Sequence, residues 1–488
     1  MKNIRNITFS ILGLFAISAC SSDWLDETST LQIRAEKQFQ TEEGFKDALI
    51  GVYISMTRPE MYSKDMTWYL VDLLSRQYAD LPPLARYENI QQFNYATSRS
   101  TGQIDNIWQK SYNTIANINS ALYYIDKNKE VLDPLNYSLI KGELLGLRAF
   151  IHFDLLRLFG LGNLTQRNLN SEFTIPYVTS NSKEITPSRP YGETFTLLQN
   201  DLNQAAELLK KDPIYIHNTN SSEHFSEVNR EGFYDDREQR MNYYAVRALQ
   251  ARSLLWMGND QEIDQAKIAA LEVIEEAPFQ LITSENYLVS NDPILYPEVL
   301  FTLNVNGLAN LSNPLLNANS ETNYDAVFIS ETDASEIYET QNVNVGIADV
   351  RYNTMLTSQT RGLVSIKLLQ RNVTMHPNQV PLMKLAEMYY IMAEYFIGEQ
   401  DTAQAVFYLN KVRSSRGILD ELPITLTPEQ LDEELQKEYR KEFISEGQLF
   451  FFYKRLGKTT IPGVPTTVEV NDNIYVLPLP DNELEFGS

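Results

Sequence analysis

YYAVRALQARSLLWMGND (residues 243–260) leads into DQAKIAALEVI (264–274), and AEMYYIMAEYFIGEQD (386–401) leads into TAQAVFYLNKV (402–412). The two stretches share one design. Each opens with a segment mixing aromatic and small residues at helical spacing, passes a Gly and an Asp, and continues into a second helical segment with an early Ala. The small residues are Ala248 and Ala251 in the first stretch and Ala386 and Ala393 in the second, with Ala266 and Ala405 opening the partner segments. Small side chains at matched positions let two antiparallel helices approach closely.

That pattern follows the logic of tetratricopeptide repeats, with longer turns than the consensus. Other segments carry the same 3.6-residue period. In 104–126, Trp108, Tyr112, Ile115, Leu122 and Ile125 share a face; in 142–160, Leu144, Leu147, Ile151, Leu155 and Leu158 do; in 193–211, Leu198, Leu202, Ala205 and Leu209 do. Thr41 is placed to cap a helix over 41–56 that begins with Glu42 and Glu43. Helix pairs are therefore expected near 41–126, 138–211, 242–276 and 382–415, unless the segments are unrelated amphipathic helices of one core. Thr427-Pro428-Glu429-Gln430 is a capping box that opens a helix expected through LDEELQKEYRKEFISEGQLFFFYKRLG, 431–457. The fold class is mainly α, with the pairs supporting an irregular, loop-rich second half that holds a few short strands, among them VLFTLNV (299–305) and GLVSIKLL (362–369). The tail IYVLPLPDNELEFGS (474–488) reads as extended.

The chain has 488 residues, 64 acids against 41 Lys and Arg, and one cysteine, Cys20. A net charge of −23 argues against nucleic acid and against adhesion to an anionic membrane through a basic patch. A single thiol excludes an internal disulfide framework and any multi-cysteine metal site. Lys2 and Arg5 precede the apolar run ITFSILGLFAISA (7–19), which is shorter than the roughly 20 residues needed to cross a bilayer. Ile17-Ser18-Ala19-Cys20 resembles the lipobox of bacterial lipoproteins, with Ile where Leu is usual. The resemblance implies removal of residues 1–19, acylation of Cys20 and anchoring through its acyl chains. Asp23, Asp26 and Glu27 resemble surface-export signals. Residues 20–40 are then a tether and 41–488 a single domain.

Motifs of catalysis are missing. There is no G-x-S-x-G, P-loop or H-E-x2-H, and the 64 carboxylates guarantee chance pairs, so neither a catalytic residue nor a cofactor is assigned. His152 reads as a core or capping residue. His217, Glu223 and His224 share a loop but lack helical ligand spacing, so no metal is assigned.

A series of motifs in a fixed order along the chain carries a further resemblance. The resemblance rests on Trp108, Tyr112, Ile115 and Asn119; on RAFIHFDLLRLFG (148–160) followed by TIPYV (174–178); on Asp201, Leu202 and Ala205; and on Asp349 to Arg351. It continues through LMKLAEMYYIMAE, with Lys384 where Arg is common, and through Glu438, Arg440, Glu442, Glu446 and Gly447. Leu449 and Phe452 stand where the family commonly has Arg and Asp, a departure that affects a structural ion pair. LPLPDNEL (477–484) completes the series. In this series the chain resembles the SusD/RagB family of outer-membrane nutrient-binding lipoproteins, and the resemblance implies four tetratricopeptide-like pairs and a non-enzymatic lid over a SusC-like TonB-dependent outer-membrane transporter. It also implies delivery of an oligosaccharide, or in some members a peptide, with loops near 57–103 and 277–380 on the ligand face. A scaffold that binds peptides or a protein partner is the alternative.

A sugar presents C–H faces and hydroxyl edges, so its binder needs exposed aromatic rings beside planar polar groups. Trp68 alone among the four tryptophans sits in a loop-prone insertion, with Tyr69, Asp72, Gln77, Tyr78 and Tyr87 around it; Tyr234 and Tyr324 are further candidates. Trp68, Tyr69 and Leu73 also fit one side of a helix, so packing and binding roles both stay open.

Overall fold

The structure, a computed structural model, describes residues 35–216, 222–371 and 375–487. Residues 1–34, with the expected leader, Cys20 and most of the tether, lie outside the described residues, as does His217. The end of the expected tether belongs to the folded body: Phe39 is buried, with its ring 4.8 Å from Phe45 and 5.0 Å from Tyr124.

Eight helices build the frame: α1 Glu42–Met56, α2 Ser98–Lys127, α3 Pro134–Phe159, α4 Tyr191–Leu209, α5 Tyr243–Met257, α6 Asp260–Glu276, α7 Leu385–Gly398 and α8 Thr402–Ser415. Capping side chains set most of their starts: Thr41 accepts from Gly44 N, Asp133 from Leu135 N, Asn242 from Ala245 N, Asn259 from Glu262 N and Asp401 from Gln404 N. Consecutive helices pack as α1 on α2, α3 on α4, α5 on α6 and α7 on α8, and the pairs abut through α2–α3, α4–α5 and α6–α7. Ala248, Ala251, Ala266, Ala386, Ala393 and Ala405 are all buried, as close helix approach requires. One hydrophobic core runs from Phe39 to Leu477, with a small satellite of Ile282, Tyr287, Leu295, Val350 and Met355. No described helix is long and apolar enough to cross a membrane.

The second half adds β1 Val299–Asn304, β2 Leu356–Gln359, β3 Gly362–Ser365 and β4 Gln379–Lys384. β1 pairs antiparallel with β4 (Val299 opposite Lys384, Asn304 opposite Gln379), and β2 with β3. Leu382–Lys384, expected as part of a helix, are strand because β1 supplies a hydrogen-bonding edge that local propensity cannot foresee. The helix expected over 431–457 divides into α9 Pro428–Glu442 and α10 Leu449–Arg455. Between them Ser445 (φ 63°) and Gly447 (φ 70°) leave helical geometry, and the Asp72 carboxylate accepts from both backbone N–H groups at 2.8 and 3.2 Å. A Cβ at Gly447 would lie 2.3 Å from the Thr67 carbonyl oxygen, so only glycine fits there. The tail, expected to be extended, forms short helices Asp472–Tyr475 and Asp481–Phe486. Leu477 N donates to Leu158 O, tying the tail to the frame.

Residues from distant parts of the sequence converge on buried ion networks. Arg148 holds Asp201 through two bonds of 2.7 and 2.6 Å and donates to Asn119 Oδ1, while Tyr177 OH also donates to Asp201. On α9, Glu442 meets Arg351 (3.0 Å), Arg416 (2.9 Å) and Lys384 (3.0 Å), while Glu438 meets Arg351 (2.9 Å) and Arg413 (3.2 Å). Arg416 also bonds Glu298 at 2.7 Å. Glu446 is neutralised by Lys367 (2.6 Å) and Lys384 (3.2 Å), so Leu449 and Phe452 are free to be apolar, and Phe452 stacks on Tyr439 at 4.2 Å.

His152 is buried and stacked 4.0 Å from Tyr177. Its Nδ1 lies 2.9 Å from the Arg148 carbonyl oxygen, and its Nε2 accepts from Val178 N at 3.0 Å. These contacts define a neutral ring with the proton on Nδ1. Burial pushes the ring's pKa from 6.5 down to about 3. The unfolded chain therefore binds this proton first as pH falls, and the group removes stability between pH 6.5 and about 3. Urea titrations across that range are expected to show a shallower acid dependence in His152→Gln than in the parent, whatever the overall loss of stability.

Candidate functional site

The loop over 316–328 meets the insertion between α1 and α2. Arg86 N donates to Asp325 Oδ1 at 2.6 Å, and the Arg86 guanidinium lies 3.5 Å from Asp325 Oδ2 while its side chain stays 79% exposed. Tyr324 is 37% exposed and Leu84 is 70% exposed. The loop is braced from behind. Arg361 Nη1 donates to Asn323 O (2.8 Å), and its guanidinium lies 4.6 Å from the centre of the Phe328 ring. Asn323 Nδ2 donates to Pro314 O and Asn317 O (2.7 and 2.8 Å), and Ala318 N donates to Gln359 Oε1 (2.6 Å). A partly exposed tyrosine on a braced loop, adjoining in sequence a carboxylate that pairs with an exposed guanidinium, suits a ligand with apolar faces and hydroxyl edges.

The residues expected around Trp68 lie one layer beneath this surface. Trp68 is fully buried, its Nε1 donates to Ser63 O at 2.6 Å, and its ring meets Tyr69 edge-on at 5.7 Å. Tyr69 is buried, and its hydroxyl donates to Asp325 O at 2.6 Å, so it supports the loop from below. Tyr87 is buried against Tyr69 at 4.9 Å, accepts from Lys64 Nζ (2.6 Å) and donates to Asp65 (3.1 Å). Asp72 and Tyr78 bond each other at 2.8 Å inside the core, and Gln77 Nε2 donates to Arg440 O. Burial pushes the carboxyls of Asp65 and Asp72 up, to about 6 and about 7. The expectation of an exposed platform is thus corrected for Trp68, Tyr69, Asp72, Gln77, Tyr78 and Tyr87: all six are buried, the aromatic rings fill core volume, and the polar atoms bond inward except Gln77 Oε1, which has no partner among the described residues. Tyr234 is corrected likewise. It is buried elsewhere, and its hydroxyl donates to Asn136 Oδ1 at 2.6 Å. Tyr324 is the expected ligand residue that reaches the surface.

Arg86, Leu84, Asp325 and Arg361 were not singled out from sequence. Arg86 and Asp325 are 239 residues apart, and no local pattern announces their meeting. His224, considered as a cation ligand, lies 3.3 Å from Asp133. Among the described residues, no group of three or more His, Cys, Asp or Glu is placed to hold a metal ion.

Comparison with known proteins places the fold. A family model described as "Starch-binding associating with outer membrane" matches residues 23–226, and the SusD family model matches 315–473. A SusD superfamily protein from Bacteroides thetaiotaomicron VPI-5482 superposes with a TM-score of 0.71 at 21% identity, over 92% of this chain and 98% of its own. A putative sugar binding protein from Bacteroides vulgatus ATCC 8482 gives a TM-score of 0.69 at 22% identity, over 91% and 96%. A SusD-like carbohydrate binding protein from the same strain gives 0.70 at 17% identity, over 91% and 96%. No curated protein sequence matches the chain. The order of helix pairs, the late charged helix and the family matches on both sides of β1 agree, and the chain belongs to the SusD/RagB family.

Proposed function

We propose that this protein is a cell-surface lipoprotein, anchored in the outer membrane through Cys20. It captures an oligosaccharide on the Tyr324 surface and passes it to a SusC-like TonB-dependent transporter. The observation that carries the reading is the partly exposed Tyr324 on a loop braced by Tyr69 and Arg361, where the neighbouring Asp325 meets the exposed Arg86. Family membership supports it, as do the sugar-binding descriptions of two solved relatives. The surface is shallow, so affinity is expected to be modest. The work of the site is binding, because the ring and its polar neighbours offer recognition groups without an activated nucleophile beside a base.

Calorimetry against a panel of plant, host and microbial glycans tests the proposal. One glycan class is expected to bind, and Tyr324→Ala to weaken it by about tenfold, the loss of one stacked ring, with the melting temperature unchanged. A variant that binds every tested glycan as well as the parent would remove Tyr324 from the site. Copurification of a barrel protein with the tagged chain checks the transporter, and mass spectrometry of the mature N-terminus checks acylation of Cys20.

A further inference from the structure

The chain contains a single Asn-Gly step, Asn306-Gly307, in the turn that follows β1. With no side chain to shield it, a glycine backbone nitrogen can approach the side-chain carbonyl carbon of the preceding asparagine and close a five-membered imide. A fold prevents this by burying the asparagine, by bonding its amide, or by committing the next N–H to a helix or sheet.

None of these protections operates at Asn306. The residue is exposed, and its side chain makes no hydrogen bond among the described residues. Gly307 N donates to no acceptor among them either. The turn is closed around the step: Leu308 N donates to Val305 O (3.0 Å) and Asn310 N to Gly307 O (2.9 Å), which leaves the Gly307 nitrogen free. Gly307 has φ 75°, and a Cβ built on it would meet only Asn310 Nδ2, at 3.5 Å, so the surroundings are open. Asn119, which precedes Ser120, is the opposite case. It is buried on α2, its Nδ2 donates to Val178 O (2.9 Å), and its Oδ1 accepts from Arg148 (2.8 Å).

We propose that Asn306 is a site of spontaneous covalent modification, deamidating through an imide formed with Gly307. Gly307 N attacks Asn306 Cγ. The N–Cγ bond forms, the Cγ–Nδ2 bond breaks, and Nδ2 leaves as ammonia with the proton from Gly307. Water then opens the imide. Attack at the side-chain carbonyl gives aspartate; attack at the backbone carbonyl gives isoaspartate, whose main chain runs through the former side chain and is one methylene longer. Neither step needs an oxidant, a metal or an enzyme. Both products add a carboxylate to the cavity wall that Asn306 shares with Asp235 and Asp236. Isoaspartate also lengthens the turn between β1 and the buried Leu308.

Peptide mapping by mass spectrometry is the test, on the whole mature protein aged in mildly alkaline buffer, beside the peptide acetyl-Val-Asn-Gly-Leu-amide under the same conditions. Asn306 is expected to exchange ammonia for water at a rate within about tenfold of the free peptide, and at least about tenfold faster than Asn119. Isoaspartate at position 306, scored by isoaspartyl-specific methylation, is expected to accumulate with it. Asn306→Gln, which could only close a larger ring, is expected to stay intact at this position and to melt like the fresh parent. Hydrogen exchange over 299–315 is expected to quicken in the aged parent and not in aged Asn306→Gln. An Asn306 that stays amidated, or reacts more than about tenfold more slowly than the peptide, would overturn the proposal, because the turn would then be protecting it. Conversion at Asn119 as fast as at Asn306 would do the same.

Discussion

Replacing Glu442 by glutamine is expected to destabilise the protein by about 3–5 kcal/mol, the cost of removing one partner from a buried ion pair. Glu442 is buried on α9 and touches Arg351, Arg416 and Lys384, each itself buried. A neutral amide keeps the shape but leaves three cations sharing less negative charge in a medium that screens poorly. Burial alone would raise the pKa of Glu442, yet Arg416, Lys384 and Arg351 hold it well below the ordinary 4.5. Glu438, under Arg351, Lys441 and Arg413, is likewise held down at about 2. Stability from these carboxylates is therefore present above pH 4.5 and is lost only as pH falls toward about 2. Chemical unfolding at neutral pH measures the loss. Glu442→Gln with parental stability would show that the convergence on α9 is incidental to folding. Glu336→Gln, at an exposed pair with Arg440, should change stability by under about 1 kcal/mol and serves as the control.

Trp68→Ala is expected to cost about 3–5 kcal/mol, as large-to-small changes of buried aromatic residues do. Trp68 has no exposed surface, packs on Tyr69 and satisfies the Ser63 carbonyl. The melting temperature should fall steeply, and any loss of ligand should follow from the unfolding of the layer beneath Asp325. Trp68→Phe, which keeps most of the volume, should recover much of the stability and bind ligand as the parent does. A Trp68→Ala protein that melts like the parent but no longer binds would instead make the indole a ligand contact.

The frame was legible because its signals are local. Periodicity, N-caps and small residues are read within one helix, and Thr41 and Thr427 stand where their helices begin. The break before α10 was not legible. The Ser445 and Gly447 backbone is drawn out of the helix by Asp72, more than 370 residues earlier. The burial of the expected ring platform was not legible for the same reason. An aromatic-rich insertion between two helices looks outward in sequence, yet Tyr69 turns inward to reach a carbonyl 256 residues away. The insertion meets the loop that carries Tyr324, but its own rings pack beneath that loop. Tyr324 was only a further candidate beside the Trp68 insertion, and the partnership of Arg86 with Asp325 exists only after the chain has closed.

The charges around α9 are also ordered in time. Arg351, Lys367, Lys384, Arg413 and Arg416 all precede Glu438, Glu442 and Glu446, so a chain delivered N-terminus first presents the cations before most of their counter-charges arrive. The early hairpins rest on contacts close in sequence and can form as they emerge. The second half has to wait, because its interior is electrically incomplete until the last fifty or so residues have been delivered. A chain cut short before α9 would be left with a cationic, hydrated centre that a protease can enter, so the fold tells finished molecules from truncated ones.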